Sequence, residues 1–332
     1  MRRPKFGWIY LLTAWLLAAT VLPVLGQHKT PSRPDSSIFS QPQQEDLRSL
    51  SAANSAAATV QRDVIYGFAG GVLLKMDLYL PANSNARSAP AAIHLHGGAW
   101  LTGDKASGPG IDDIPELLAR GYVVASINYR LAPLHPFPAQ IEDAKCAVRF
   151  LRANAARFGI DPLHIVAWGS SAGGHLAALL ALTDSKAGFD GRGGWADQSS
   201  QVQAAATLFG PSDLTTSEWS FLDRLGFLLV FGTPGNWAKA SPINYVTKGD
   251  APLLIISGEK DNLVSPKQAQ LLFDRLKAAQ VPTKLIVVKN SGHDYAPVGG
   301  ALNPSRAEMS RALADFFDQY ARQTASAAAA GQ

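Results

Sequence analysis

Cysteine is nearly missing from this chain: Cys146 is the single one in 332 residues. No intrachain disulfide can form, and a lone thiol inside a helical pattern reads as a buried structural group. Metal chemistry lacks ligands too, because histidines and carboxylates nowhere cluster at ligand spacing. Charge is sparse, at 17% of residues, and nearly balanced, with 30 Lys and Arg against 26 Asp and Glu. Three of the basic residues, Arg2, Arg3 and Lys5, stand in the first five positions, and losing residues 1–26 takes the formal net charge from +4 to +1. That leaves no basic surface with which to expect nucleic acid as a partner. Internal repeats are absent as well.

Behind Arg2, Arg3 and Lys5 runs an apolar stretch from Trp8 to Leu25, interrupted by Pro23 and closed by Val24-Leu25-Gly26. Basic start, apolar middle and small residues at the end are the pattern of an export signal, here with cleavage expected after Gly26 and an exported, periplasmic or extracellular product. The alternative is an uncleaved anchor, for which the run is short and Pro23 is awkward; only then is a membrane a partner. Residues 27–57 are rich in Ser, Gln, Pro and Ala, a composition that cannot bury enough surface to order itself, and read as a disordered linker. Residues 323–332 read as an alanine-rich disordered tail. One α/β domain is expected over 58–322, a length and a 47% hydrophobic content sufficient for a sizeable core.

Inside that domain apolar runs of strand length alternate with helical stretches. Val64–Phe68 and Val72–Leu80 flank Ala69-Gly70-Gly71 as an opening hairpin. Strands follow at Ala91–Leu95, Tyr122–Asn128, His164–Trp168, Ala204–Phe209, Pro252–Ser257 and Lys284–Val288. Helices are expected at Ile114–Arg120, Ala139–Phe158, Ala172–Leu182, Pro266–Ala279 and Ser305–Ala321. The pattern predicts a mostly parallel, doubly wound sheet of eight strands, with reactive groups at the carboxyl ends of the strands.

Two glycine-framed loops fall at such ends. In Gly169-Ser170-Ser171-Ala172-Gly173 a strand turns sharply into a helix, the G-x-S-x-G elbow that presents one serine, Ser171, at its tip. In His96-Gly97-Gly98-Ala99-Trp100 adjacent glycines let the backbone come close to a reacting carbonyl. N–H groups fixed there in advance stabilise a developing oxyanion by roughly 3 to 4 kcal/mol per donor. The donors expected are the N–H groups of Gly98 and Ala99, with a third from Ala172, the residue after the nucleophile.

A serine hydroxyl needs a base, and the base needs an acid to orient it. Sheets that carry this elbow place the three in the order serine, acid, histidine. Of the seven histidines only His293 lies beyond Ser171 on a late loop, in Asn290-Ser291-Gly292-His293-Asp294-Tyr295 after the last strand; His175 belongs to the elbow helix. The turn Gly258-Glu259-Lys260-Asp261-Asn262 ends the preceding strand and offers Glu259 and Asp261 as acids. Asp294, adjacent to His293, is badly placed to orient its ring and reads as a loop residue.

Asp213–Ala240 forms a short loop-rich insertion between the sixth and seventh strands, carrying Trp219, Phe221, Phe227, Phe231 and Trp237. If these aromatics face the site, Trp100, Trp219 and Phe221 wall the substrate pocket; the other reading is local packing. So small a cap suggests an open cleft able to admit a polymer-attached ester as well as a small one.

The chain resembles the hormone-sensitive-lipase-like branch of α/β-hydrolases, and within it the bacterial feruloyl-esterase-like carbohydrate esterases. The resemblance rests on Met76-Asp77-Leu78-Tyr79-Leu80-Pro81, His96 to Trp100, Asn128-Tyr129-Arg130-Leu131-Ala132-Pro133, Phe137-Pro138-Ala139-Gln140-Ile141-Glu142-Asp143, Gly159-Ile160-Asp161-Pro162 and Gly169 to Leu176. It implies the α/β-hydrolase fold, a cofactor-free serine carboxylesterase, Ser171 as nucleophile, Asp261 rather than Glu259 as acid, and His293 as base. Ala99 stands where lipase-like relatives often carry a third glycine; the N–H survives, and the room for a bulky alcohol is what changes. An arylformamidase shares a similar histidine-glycine-glycine loop, and a noncatalytic binding protein on the same fold is the reading from another functional class.

Overall fold

The computed structural model describes residues 44–46, 59–82 and 88–321. The expected leader, nearly all of the expected linker and the alanine-rich tail lie outside the described residues. A single sheet of nine strands, in the order β1-β2-β3-β5-β4-β6-β7-β8-β9, organises what is described. Its strands are β1 (Gln44–Asp46), β2 (Thr59–Ala69), β3 (Val72–Leu80), β4 (Ala89–Leu95), β5 (Val123–Ile127), β6 (Ile160–Ser170), β7 (Ala204–Leu208), β8 (Leu253–Gly258) and β9 (Thr283–Val288). Eight correspond to the runs read from the sequence. The ninth, β1, pairs antiparallel with the start of β2 and falls inside the stretch expected to be linker. Its sequence, Gln-Glu-Asp, carries no apolar signal from which a strand could be read.

β2 and β3 form the hairpin, turning at Gly70 and Gly71, both of positive φ. β3 joins β5 antiparallel, and from β5 to β9 every pairing is parallel. β4, β5, β7 and β8 are buried along their whole length, as expected of strands covered on both faces, and that explains their continuous apolar runs.

The helices are α1 (Ile114–Ala119), α2 (Ala139–Ala153), α3 (Ala155–Phe158), α4 (Ala172–Leu182), α5 (Phe221–Phe231), α6 (Trp237–Ala240), α7 (Pro266–Ala278) and α8 (Arg306–Ala321). One core joins Leu78, Ile93 and Leu95 of the sheet to Ile141 of α2, Leu179 of α4 and Leu272 of α7. The other joins Val124, Val166 and Trp168 to Leu117 of α1 and Leu313 and Phe317 of α8. The alternation along the strands thus feeds two opposite layers, the doubly wound arrangement. The single helix expected over 139–158 is two: Asn154 leaves helical geometry at φ −106 and ψ 18 and bonds its side chain back to the Phe150 carbonyl. In the insertion, expected to be loop-rich, a reciprocal cap between Ser220 and Asp223 starts α5.

Candidate active site

Four loops meet at the carboxyl ends of β4, β6, β8 and β9, carrying His96–Trp100, Ser171, Asp261 and His293 respectively. β6 runs straight into α4 through Ser171, whose φ of 55 and ψ of −118 are strained for a residue with a side chain. The strand-to-helix reversal leaves no room on either side of it. A Cβ at Gly169 would sit 2.6 Å from the Gly173 carbonyl carbon, and one at Gly173 would press on the Leu95 and His96 carbonyls. The elbow is held by Ser171 N–H donating to the Leu208 carbonyl at 2.8 Å and by His175 N–H donating to the Ser171 carbonyl at 3.0 Å.

Ser171 Oγ lies 2.9 Å from His293 Nε2, and His293 Nδ1 lies 2.7 Å from Asp261 Oδ2. The other Asp261 oxygen accepts the backbone N–H groups of Leu263 and Val264, at 2.9 and 3.0 Å. A carboxylate held at both oxygens fixes the imidazole so that Nδ1–H donates to it and Nε2 faces the serine. Glu259, the other acid offered by that turn, instead accepts from the Asn290 N–H. Burial works against a charged His293, but the Asp261 hydrogen bond and the charges of Asp294 and Asp261 outweigh it, and its pKa lies above the usual histidine value.

Asp294 departs from its reading as a plain loop residue. Its backbone is left-handed, at φ 54 and ψ 41, which turns the side chain back toward the elbow. Oδ1 accepts a hydrogen bond from the buried Ser170 hydroxyl, and Oδ2 stands 3.7 Å from His293 Nε2. Two carboxylates therefore flank the imidazole, one at each nitrogen. Sequence adjacency hid this, because the left-handed backbone at Asp294, which no composition or spacing reveals, sets the direction from which its carboxylate reaches the ring.

The His96–Trp100 loop packs directly on the elbow: a Cβ at Gly97 would lie 3.5 Å from Ser171 Cβ and 3.2 Å from the Ser170 carbonyl oxygen. Gly98, Ala99 and Trp100 all have positive φ, at 109, 53 and 61. At Gly98 that conformation, and the Thr102 carbonyl crowding its Cα, require glycine. The N–H groups of Gly98 and Ala99 have no acceptor among the described residues, and Ala172 N–H is in the first turn of α4, where no intrahelical acceptor exists. The structure thus brings Gly98, Ala99 and Ala172 to the elbow with their amides uncommitted.

What supports that loop was not singled out from the sequence. Tyr129 Oη donates to the His96 carbonyl, and Arg130, next to it, grips the buried Asp143 with Nε and Nη2 while its N–H reaches the same carboxylate at 2.8 Å. Both lie in the stretches that carry the family resemblance, which was the available signal. Trp100 Nε1–H donates to His175 Nδ1 at 3.3 Å, and His175 Nε2–H donates to the Ala240 carbonyl at 2.7 Å. Complete burial holds the His175 pKa down at about 4, consistent with this neutral tautomer.

The expected aromatic wall is corrected by these contacts. Trp100 is buried, edge-on to His175 and to Phe231 of α5, with centroids 5.1 and 4.8 Å apart. Trp219 is buried one ring further away, edge-on to Phe227 and bonded to the Asp213 carbonyl. Phe221 is 78% exposed at the start of α5 and makes no ring contact among the described residues. The insertion spends its inward aromatics on packing around Trp100, while Phe221 faces outward.

Comparison with known proteins agrees with this architecture. Residues 76–276 match the BD-FAE family. Esterase LipC of Mycobacterium tuberculosis is 33% identical over 274 residues, covering 80% of this chain and 66% of that one. Isoprenylcysteine alpha-carbonyl methylesterase ICME of Arabidopsis thaliana is 28% identical over 247 residues, covering 70% and 56%. The chain spans between about half and two thirds of the length of LipC and of the related mycobacterial esterases LipQ and LipM. Among solved structures, a truncated carbohydrate esterase from gut microbiota superposes with a TM-score of 0.68 at 28% identity, over 81% of this chain and 98% of that one. Esterase 2 of Thermogutta terrifontis, phosphorylated by paraoxon, superposes with a TM-score of 0.65 at 26% identity, over 77% and 92%. The fold is that of the α/β-hydrolases.

Proposed function

The chain belongs to the BD-FAE family, and we propose that it is a serine carboxylesterase working through an acyl-enzyme. The observation that carries this reading is the relay itself: Ser171 Oγ, His293 and Asp261 joined at 2.9 and 2.7 Å, on an elbow whose neighbouring amides are uncommitted. Ser171 Oγ attacks the ester carbonyl as His293 Nε2 takes its proton, and Asp261 stabilises the imidazolium through Nδ1–H. The amides of Gly98, Ala99 and Ala172 receive the negative charge on the carbonyl oxygen. His293 then returns the proton to the leaving alkoxide, the alcohol departs, and Ser171 is left acylated. Water, deprotonated by His293, attacks the acyl carbon in the same way, releasing the acid and the free serine.

The substrate class we propose is a feruloyl or acetyl ester on a plant polysaccharide, met outside the cell after removal of residues 1–26. The likeness to a gut-microbial carbohydrate esterase supports it, as do the short insertion and the signal-like start. The test is hydrolysis of p-nitrophenyl acetate, a long-chain p-nitrophenyl ester, methyl ferulate and acetylated xylan, with Ser171→Ala as the blank. Serine-dependent turnover with methyl ferulate or the xylan preferred is the expected result. Equal activity in Ser171→Ala overturns the mechanism, and preference for the long-chain ester overturns the substrate class.

A further inference from the structure

The second carboxylate at the imidazole, Asp294, has no part in the relay, yet its position fixes what it can touch. Oδ1 is committed to Ser170, while Oδ2 lies 3.7 Å from Nε2 on a side chain that keeps 30% of its surface open. On the esterase reading above, Nε2 hands its proton to the departing alkoxide, so the ester oxygen must come within hydrogen-bond reach of that nitrogen. An acceptor this close to Nε2 then stands beside the first carbon atoms of the alcohol.

A carboxylate oxygen only accepts hydrogen bonds. An alkyl chain laid against it would strip water from the charge and return nothing, whereas a hydroxyl on the neighbouring carbon would replace that water with a charge-assisted bond. We propose that Asp294 selects the alcohol half of the ester, through a hydrogen bond from a donor on the carbon next to the one bearing the ester oxygen. Asp294 is thus a specificity residue on the leaving-group side, and Ser170 is the residue that aims it. The backbone bend at Asp294 serves the same end: with an extended φ the side chain would not fold back to both Ser170 and Nε2.

The test holds the acetyl group constant and varies the alcohol, comparing 2-hydroxyethyl, 2-methoxyethyl and n-propyl acetate. Only the first carries a donor, and the second keeps the same electron-withdrawing oxygen, so its alkoxide leaves about as readily. A hydrogen bond to a charged acceptor corresponds to roughly tenfold in kcat/KM, so the wild-type enzyme is expected to favour 2-hydroxyethyl acetate over both others by about that factor. In Asp294→Ala the three values should fall within about twofold of one another. Because the readout is a ratio within one preparation, loss of folded enzyme cancels. Asp294→Asn keeps the shape with a weaker acceptor, and the ratio should drop there too. A flat wild-type series, or a preference that survives in both variants, overturns the proposal. Turnover of p-nitrophenyl acetate separates the two claims: its absence removes the esterase reading, while its presence with a flat series removes only the role of Asp294.

Discussion

Tyr129 carries His96 on its ring. The two rings stack with centroids 4.2 Å apart and planes 14° from parallel, and the Tyr129 hydroxyl donates a 2.8 Å hydrogen bond to the His96 carbonyl. That carbonyl opens the loop whose next amides face the elbow, so Tyr129 sets the height of the loop over Ser171.

Tyr129→Phe keeps the stack and leaves the His96 carbonyl without its partner, a loss of about 1 to 3 kcal/mol in stability. The expected kinetic effect is a lower kcat with KM little changed, because donors aimed at a transition-state charge are displaced. Thermal unfolding and steady-state kinetics on one preparation check both.

Gly98→Ala should be far more damaging than its single methyl suggests. The φ of 109 disfavours any side chain, and the added Cβ would run into the Thr102 carbonyl. Loss of nearly all activity is expected, with a lower melting temperature. Gly97→Ala meets Ser171 Cβ only at 3.5 Å and the Ser170 carbonyl oxygen at 3.2 Å; it should fold and lose activity chiefly through crowding at the nucleophile. Circular dichroism melts alongside ester turnover distinguish the two.

The pH profile follows from the charges around His293. Its pKa is raised despite burial, by the Asp261 bond and by the Asp294 and Asp261 charges. A base is active unprotonated, so kcat/KM should rise with pH through a midpoint above histidine's ordinary value of about 6.5. Asp294→Asn removes one negative charge, makes the imidazolium less favourable, and should move that midpoint to lower pH. A profile of kcat/KM against pH for both proteins tests the direction.

Asp261→Asn puts an amide where the imidazole Nδ1–H now donates. The amide oxygen stays on the Leu263 and Val264 N–H groups, so the NH2 faces Nδ1 and holds the ring in the wrong tautomer, and kcat should fall by about 10⁴ with little change in fold. Glu259→Gln, by contrast, touches only the Asn290 N–H contact and should leave kcat near wild type.

Much of this could be read from the chain because the elbow and the glycine loop follow uninterrupted apolar strands, and β4 and β6 are adjacent in the sheet. Ser171, Asp261 and His293 could be named from chain order and resemblance, and the structure brings them within hydrogen-bond distance. What stayed hidden depends on direction rather than composition. Phe221 and Phe227 are alike in the sequence, yet one is exposed and the other buried, because Phe-Leu-Asp-Arg-Leu-Gly-Phe-Leu-Leu-Val-Phe is apolar on every side of α5 and offers no periodicity to tell them apart. Asp294 was hidden for a related reason, since its role hangs on one left-handed residue.

The central claim is that Ser171, and not the adjacent Ser170, becomes acylated. The most direct measurement is stoichiometric labelling with an organophosphate such as paraoxon, followed by peptide mapping by mass spectrometry and a parallel assay of residual p-nitrophenyl acetate hydrolysis. One phosphoryl group per chain on Ser171, appearing in step with loss of hydrolysis and absent in Ser171→Ala, is the predicted result. A label on Ser170, or full hydrolysis by fully labelled protein, would contradict it.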